Sequence, residues 1–157
     1  QNNKVAIIMG SQSDYSIMKD CEKILELLKV KYQTLIVSAH RTPKRMFKFA
    51  EKAEKNGFGV IIAGAGGAAH LAGMVASLTT VPVLGVPMET KKIKGLDSLL
   101  SMAQMPKGVP VGCLAIDGAF NAGIIAASII GNFDTKVKSN LERWRRLQTQ
   151  SIKKKPK

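Results

Sequence analysis

Val5-Ala6-Ile7-Ile8-Met9-Gly10-Ser11-Gln12-Ser13-Asp14 is an apolar run that stops at a glycine and a cluster of small polar residues. Five apolar residues without polar alternation suit a strand buried on both faces, which is the condition of a parallel sheet. Over residues 14–29 the spacing becomes helical. Ile17, Cys21, Ile24 and Leu28 fall on one face, and Ser13 stands where an N-cap is needed. Strand, glycine turn and helix form one unit, and the chain repeats it.

Further apolar runs lie at 33–37, 59–63, 82–86 and 111–116, after the first at 4–9. Helical patterns alternate with them. Thr42 as N-cap and Pro43 at the first position open a helix that turns Met46, Phe49, Ala50 and Ala53 inward, and Gly57 stops it. A third helix near 68–78 consists of small apolar residues, which predicts close packing on several sides. Residues 87–110 are less regular: Asp97 is expected to cap a short helix through Leu99, Leu100 and Met102, and 105–110 to form a loop. The helix over 121–131 carries Ile124, Ile125, Ile129 and Ile130 around much of its circumference, so burial on most sides is expected. A last amphipathic helix, about 134–150, aligns Val137, Leu141, Trp144 and Leu147. This alternation predicts an α/β fold: a three-layer, doubly wound parallel sheet of the flavodoxin-like kind with a C-terminal amphipathic helix. One domain is expected over 1–150, followed by a basic tail at 151–157.

Bulk properties narrow the function. Hydrophobic content of 45% is enough for a packed core, and no apolar run reaches the roughly 18 residues of a membrane span. Cys21 and Cys113 lie far apart in apolar segments and fit neither a disulfide framework nor a metal site, which points to a reducing, cytoplasmic setting. The first residues lead straight into a strand, without a signal-peptide pattern. The net charge of +13 is concentrated at one end: residues 135–157 hold nine Lys/Arg against one acid, a net +8, and 1–134 carry +5. Such a tail can attract polyanions, yet a solvated terminus has the same composition. No specific nucleic-acid partner and no membrane association are expected.

Chemistry-bearing residues collect where a parallel sheet puts its ligands, just beyond the carboxyl ends of strands. Gly10, Ser11, Ser13 and Asp14 follow the first run and form a strand-to-helix turn whose N–H groups and hydroxyls suit an anion. Asp14 can accept hydrogen bonds from a ribose diol. Ser38-Ala39-His40-Arg41-Thr42-Pro43 follows the second run. There Arg41 can reach a phosphate at the first turn, and His40 titrates in the range that proton transfer needs. Gly64-Ala65-Gly66-Gly67-Ala68-Ala69-His70-Leu71 follows the third. Its bare backbone can approach a carboxylate or small neutral molecule. Taken singly, each loop has a plain alternative: a capped turn, a surface arginine, tight helix–strand packing. No Gly-x-Gly-x-x-Gly or Walker loop occurs, no residues have metal-ligand spacing, and there is no Gly-x-Ser-x-Gly elbow.

Together these motifs resemble class I N5-carboxyaminoimidazole ribonucleotide mutases of bacterial purine biosynthesis over residues 4–133. The resemblance extends to Gly85-Val86-Pro87, to Asp97-Ser98-Leu99-Leu100-Ser101 running on to Gln104-Met105-Pro106, and to Gly108-Val109-Pro110-Val111-Gly112. The related carboxylase class usually has lysine after the histidine and a different third loop, so Arg41 and His70 favour the mutases. Two positions depart from the pattern. Ala72 stands where proline is usual, and Asp117-Gly118-Ala119-Phe120 replaces a longer Gly/Ala-rich loop.

The resemblance implies an isomerisation that moves a carboxylate from the exocyclic nitrogen to carbon four of the imidazole, through decarboxylation and recapture of carbon dioxide. Neither metal nor other cofactor is implied. His40 matches the catalytic acid/base. Gly10, Ser11, Ser13, Asp14, Ser38 and Arg41 match substrate-binding positions. Gly64, Ala65, Gly66, Gly67, Ala68, His70 and Leu71 match the part that would hold the carboxylate and retain carbon dioxide. The partner implied is a small ribonucleotide, and the assembly a homo-octamer with sites shared between subunits. The rivals are an aminoimidazole ribonucleotide carboxylase using carbon dioxide and a non-catalytic, nucleotide-binding flavodoxin-like module.

Overall fold

The computed structural model describes residues 2–156. Gln1 of the expected domain and Lys157 of the expected tail lie outside the described residues. Five parallel strands form one sheet in the order β2-β1-β3-β4-β5: β1 Lys4–Met9, β2 Lys31–Ile36, β3 Phe58–Ala65, β4 Val83–Pro87 and β5 Gly112–Cys113. The helices are α1 Tyr15–Leu27, α2 Pro43–Lys52, α3 Leu71–Ala76, α4 Leu96–Ala103, α5 Ala119–Gly131 and α6 Thr135–Ser151.

Strand pleating sorts the core into two layers. Val5, Ile7 and Met9 of β1 meet α1, α5 and α6 on one face. Ala6 and Ile8 meet α2, α3 and Met102 of α4 on the other. β1 and β3 are central and buried on both faces, which is why their sequences read as unbroken apolar runs. β2 is an edge strand and only half-buried, so its start at Lys31 lacks that signal.

Several local expectations are corrected. Ser11, not Ser13, begins the first helical segment: a single 3-10 turn over Gln12–Asp14 precedes α1, and the Ser11 N–H donates to Asp14 Oδ2 at 3.1 Å. The helix expected at 68–78 starts only at Leu71, because Gly67 takes a left-handed backbone (φ +70°) and keeps 66–70 as a loop. Asp97 does not cap α4. Gly95, at φ +89°, holds that place, and Asp97 accepts a hydrogen bond from Thr90 Oγ1 at 2.8 Å. The fifth strand is two residues long, not six. Past Cys113 the chain still bonds β4 through Leu114 N–H to Gly85 O (2.8 Å), but a turn closed by Gly118 N–H to Ala115 O (2.9 Å) breaks the ladder.

The 121–131 helix is buried through its small residues and Ile130, with Ile124 and Ile129 partly buried. Ala122, Gly123, Ala126 and Ala127 face the core, while Ile125 stays 39% exposed. A Cβ on Gly123 would lie 2.3 Å from Ile24 Cγ2, so glycine sets the close approach of α1 and α5. α6 is capped by Asp134, which accepts from Lys136 and Val137 N–H. It packs through Val137 and Leu141, and Asn140 Nδ2 donates to Leu28 O at 3.0 Å. Among the described residues no helix is long and apolar enough to cross a membrane.

Candidate active site

In this strand order the chain leaves β1 toward β2 on one side and returns to β3 on the other. The loops after β1 and β3 therefore run apart, and a crevice opens at their carboxyl ends. A cavity of about 440 Å³ occupies it. Of the residues singled out from sequence, Gly10, Ser11, Ser13, Asp14, Ser38, His40, Arg41, Ala65, Gly66, Ala68, His70 and Leu71 line this cavity. Gly64 and Gly67 do not. Gly64 is a packing residue: a Cβ there would sit 2.5 Å from Met18 Sδ and 2.7 Å from Met88 Cε. Its carbonyl accepts the Gly10 N–H at 3.3 Å. Ala39, which sequence reasoning passed over, lines the cavity too. Its small apolar side chain gave no chemical signal.

The second loop is held rigidly. Thr42 occupies the N-cap position of α2, but its hydroxyl works backward, donating to Ser38 O (3.0 Å) and accepting the Ser38 N–H (2.9 Å). This closes the turn that presents His40 and Arg41. The Arg41 guanidinium bridges two strand ends, with Nη2 donating to Gly10 O at 2.7 Å and Nε reaching Ser38 Oγ at 3.4 Å. That leaves three of its five N–H donors without a hydrogen bond among the described residues. In the first loop the Ser11 and Ser13 hydroxyls are 2.6 Å apart, and the Ser11 hydroxyl also donates to Asp14 Oδ2 at 3.3 Å. Burial pushes the Asp14 carboxyl above its ordinary pKa of 3.8; the Ser11 hydrogen bonds and the Arg41 charge offset part of that rise.

Both histidines meet across the mouth. His40 Nε2 lies 2.9 Å from His70 Nδ1, with the rings edge-on at 84°. Such a bond needs one N–H and one lone pair, so the pair cannot be doubly charged while it is made. Both rings are exposed in the single chain. Behind them, the Gly67 N–H is taken by Ser98 Oγ at 2.9 Å, whereas no hydrogen bond within the described residues engages the N–H of Gly66 or Ala68. Ser98 and Ser101 were assigned to a helix from sequence but given no place at the site.

The cavity thus offers hydroxyls and a guanidinium for a phosphate, a carboxylate for a diol, two bare amides for a carboxylate, and an imidazole pair for a proton. Among the described residues no three His, Cys, Asp or Glu side chains gather as metal ligands. A second cavity of about 450 Å³, at the opposite end of the sheet near Phe58, Pro82 and Ile129, has Glu54 as its one charged lining residue and no comparable chemistry. The two departures from the expected pattern are accommodated locally. Ala72 is the second residue of α3, where the N–H has no intrahelical partner and proline or alanine serves alike. Asp117 folds its short loop back onto the end of β4, donating to Pro87 O (2.8 Å) and accepting the Glu89 N–H (3.0 Å). Residues 117–120 do not line the cavity.

Comparison with known proteins gives the family and the fold. A family model described as AIR carboxylase matches residues 4–151. The chain is 52% identical to an N5-carboxyaminoimidazole ribonucleotide mutase of Escherichia coli strain K12, over 98% of this chain and 92% of that protein. It is 57% identical to one of Thermotoga maritima, over 91% and 86%. The crystal structure of Treponema denticola PurE superposes with a TM-score of 0.86 at 24% identity, covering 95% of this chain and 93% of that one, and so shares the fold. On the family match and on identity above one half across nine-tenths or more of its length, this chain belongs to the AIR carboxylase family.

Proposed function

We propose that this protein is an N5-carboxyaminoimidazole ribonucleotide mutase, an isomerase of purine biosynthesis. The observation that carries this reading is its identity of 52% or more to proteins of that name. The nearer rival, a carboxylase drawing on free carbon dioxide, is disfavoured by Arg41 after His40 and by the small-residue loop that ends in His70.

In this reading the 5′-phosphate sits between the Ser11–Ser13 hydroxyls and Arg41, and Asp14 accepts from the ribose diol. The imidazole base reaches the His40–His70 pair. His40 protonates the exocyclic nitrogen as the carbamate C–N bond breaks and carbon dioxide leaves. Carbon four then attacks the carbon dioxide, and His40 removes the ring proton, so atoms and protons balance over the turnover. The Gly66 and Ala68 amides hold the carboxylate at both ends of the transfer. What supports these roles is the convergence of the groups on one cavity and the His40–His70 contact.

The working protein is a homo-oligomer, an octamer, in the cytoplasm. Two observations support assembly. His40 and His70 are open to solvent in the single chain, although recapture of carbon dioxide needs water kept out. Ile125, Phe120 and Phe133 also leave apolar surface on and beside α5. The deciding assay supplies N5-carboxyaminoimidazole ribonucleotide directly, and in parallel aminoimidazole ribonucleotide with bicarbonate. Efficient turnover of the first is expected. Turnover of the second alone would assign the carboxylase reaction, and binding without turnover of either would assign the nucleotide-binding module.

A further inference from the structure

The motif Asp97-Ser98-Leu99-Leu100-Ser101 has no role in the mechanism above, yet it touches the carboxylate-holding loop at its most constrained point. Ser98 is fully buried, one of two buried polar side chains among the described residues. Its hydroxyl accepts the Gly67 N–H at 2.9 Å. One helical turn on, the Ser101 hydroxyl shares its single proton between Asp97 O at 2.6 Å and Gly67 O at 3.3 Å. Both polar atoms of Gly67 are thus held from α4. Gly67 is also where the backbone takes φ +70°. The neighbouring loop lies tight on the same support: a Cβ on Gly66 would be 3.2 Å from Met88 Cβ and 3.9 Å from Ser98 Oγ. The Met88 N–H in turn donates to Ala65 O at 3.0 Å.

We propose that Ser98, assisted by Ser101, is a positioning residue that clamps Gly67 so that the flanking Gly66 and Ala68 amides stay aimed into the cavity and keep carbon dioxide there until carbon four captures it. The physical logic follows from where the bonds go. With the Gly67 N–H spent on Ser98 and its carbonyl held by the Ala69 N–H and Ser101, the two peptide planes that meet at Gly67 cannot rotate; the second of them carries the Ala68 N–H, and the first follows directly on Gly66. The loop has no side chains of its own large enough to fix this geometry, so α4 supplies the rigidity. Fixed dipoles of this kind are worth more than mobile ones because they need no reorganisation as the charge moves. This inference rests on the mutase reading.

The test is the fate of carbon dioxide. Wild type and Ser98→Ala are given N5-carboxyaminoimidazole ribonucleotide in buffer containing ¹³C-bicarbonate. Two quantities are read: aminoimidazole ribonucleotide released per product formed, and label found in the product. Ser98→Ala leaves a buried N–H unsatisfied and frees the loop, so release and label should rise about tenfold, with KM changed less than about threefold because phosphate and ribose contacts lie on other loops. Ser101→Ala should give a smaller rise, since the Ala69 N–H still binds Gly67 O at 2.9 Å. This variant, in a half-buried position, carries the test alone if Ser98→Ala does not fold. Wild-type release and labelling in a folded variant, even with reduced kcat, would overturn the proposal, because a merely structural role lowers activity without uncoupling the two half-reactions. Failure of the wild type to convert the substrate would instead refute the mutase reading itself, and this inference with it.

Discussion

Replacing Arg41 by alanine separates phosphate recognition from loop support, because the structure gives the guanidinium both opportunities. Its existing bonds go to Gly10 O (2.7 Å) and Ser38 Oγ (3.4 Å), and the residue is exposed. Water can replace the arginine at the Gly10 carbonyl, so the loss in folding stability should be only about 0.5–1 kcal/mol, roughly 1–4 °C in Tm. In the proposed mode of binding the remaining donors meet the phosphate. A charge-assisted contact contributes about 1.5–3 kcal/mol, and with partial screening at an open site the expected loss is about 2 kcal/mol, close to thirtyfold in Kd. Calorimetric titration of the product ribonucleotide should show this loss. The decisive comparison is the matching nucleoside, which lacks the phosphate: wild type and Arg41→Ala should bind it equally. An equal loss for nucleotide and nucleoside would refute the phosphate assignment and leave Arg41 as a brace for the Gly10 turn.

His40→Asn retains hydrogen bonding but cannot carry a proton, so turnover should fall by about 10²–10⁴-fold or more with binding largely preserved; near-normal turnover would dismiss the acid/base role. Asp14 has a raised pKa in the folded protein, so the native state holds its proton more tightly than the unfolded chain. Stability then falls as pH rises from the unfolded value of 3.8 through the higher folded one. Asp14→Asn should therefore melt higher than wild type at pH 7, with the advantage vanishing below pH 3.8, and should bind ribonucleotide more weakly; thermal melts of the unliganded protein across that range give the answer. Residues 151–156 are exposed throughout. Truncation after Gln150 should thus leave activity and the oligomer, measured by light scattering, unchanged, and loss of the oligomer would make the tail structural.

The alternation of apolar runs and helical spacing was enough to predict the layers, the parallel sheet and the three strand ends that carry polar residues. The reason is that burial on two faces, capping and the 3.6-residue period are local properties of a chain. Boundaries followed where that signal was strong, as in β1 and β3. They slipped where the elements depend on neighbours: edge strand β2, the two-residue β5 and the late start of α3. The clustering of Ser11, Asp14, His40, Arg41 and His70 at strand ends, where they line one cavity, was legible because such residues there are chemically conspicuous.

Other features belong to the tertiary structure alone. The order β2-β1-β3 decides that the loops after residues 9, 36 and 65 share one crevice, and strand order is set by packing between segments far apart in the chain. The His40–His70 bond joins residues thirty positions apart, and the Ser98–Gly67 bond thirty-one. Neither leaves a periodic trace, because a hydrogen bond between loops depends on where both backbones end up. Gly64 and Gly66 read alike in sequence, one glycine in a loop being as bare as another. Only the packed fold distinguishes Gly64, pressed between two methionines, from Gly66, which opens onto the cavity.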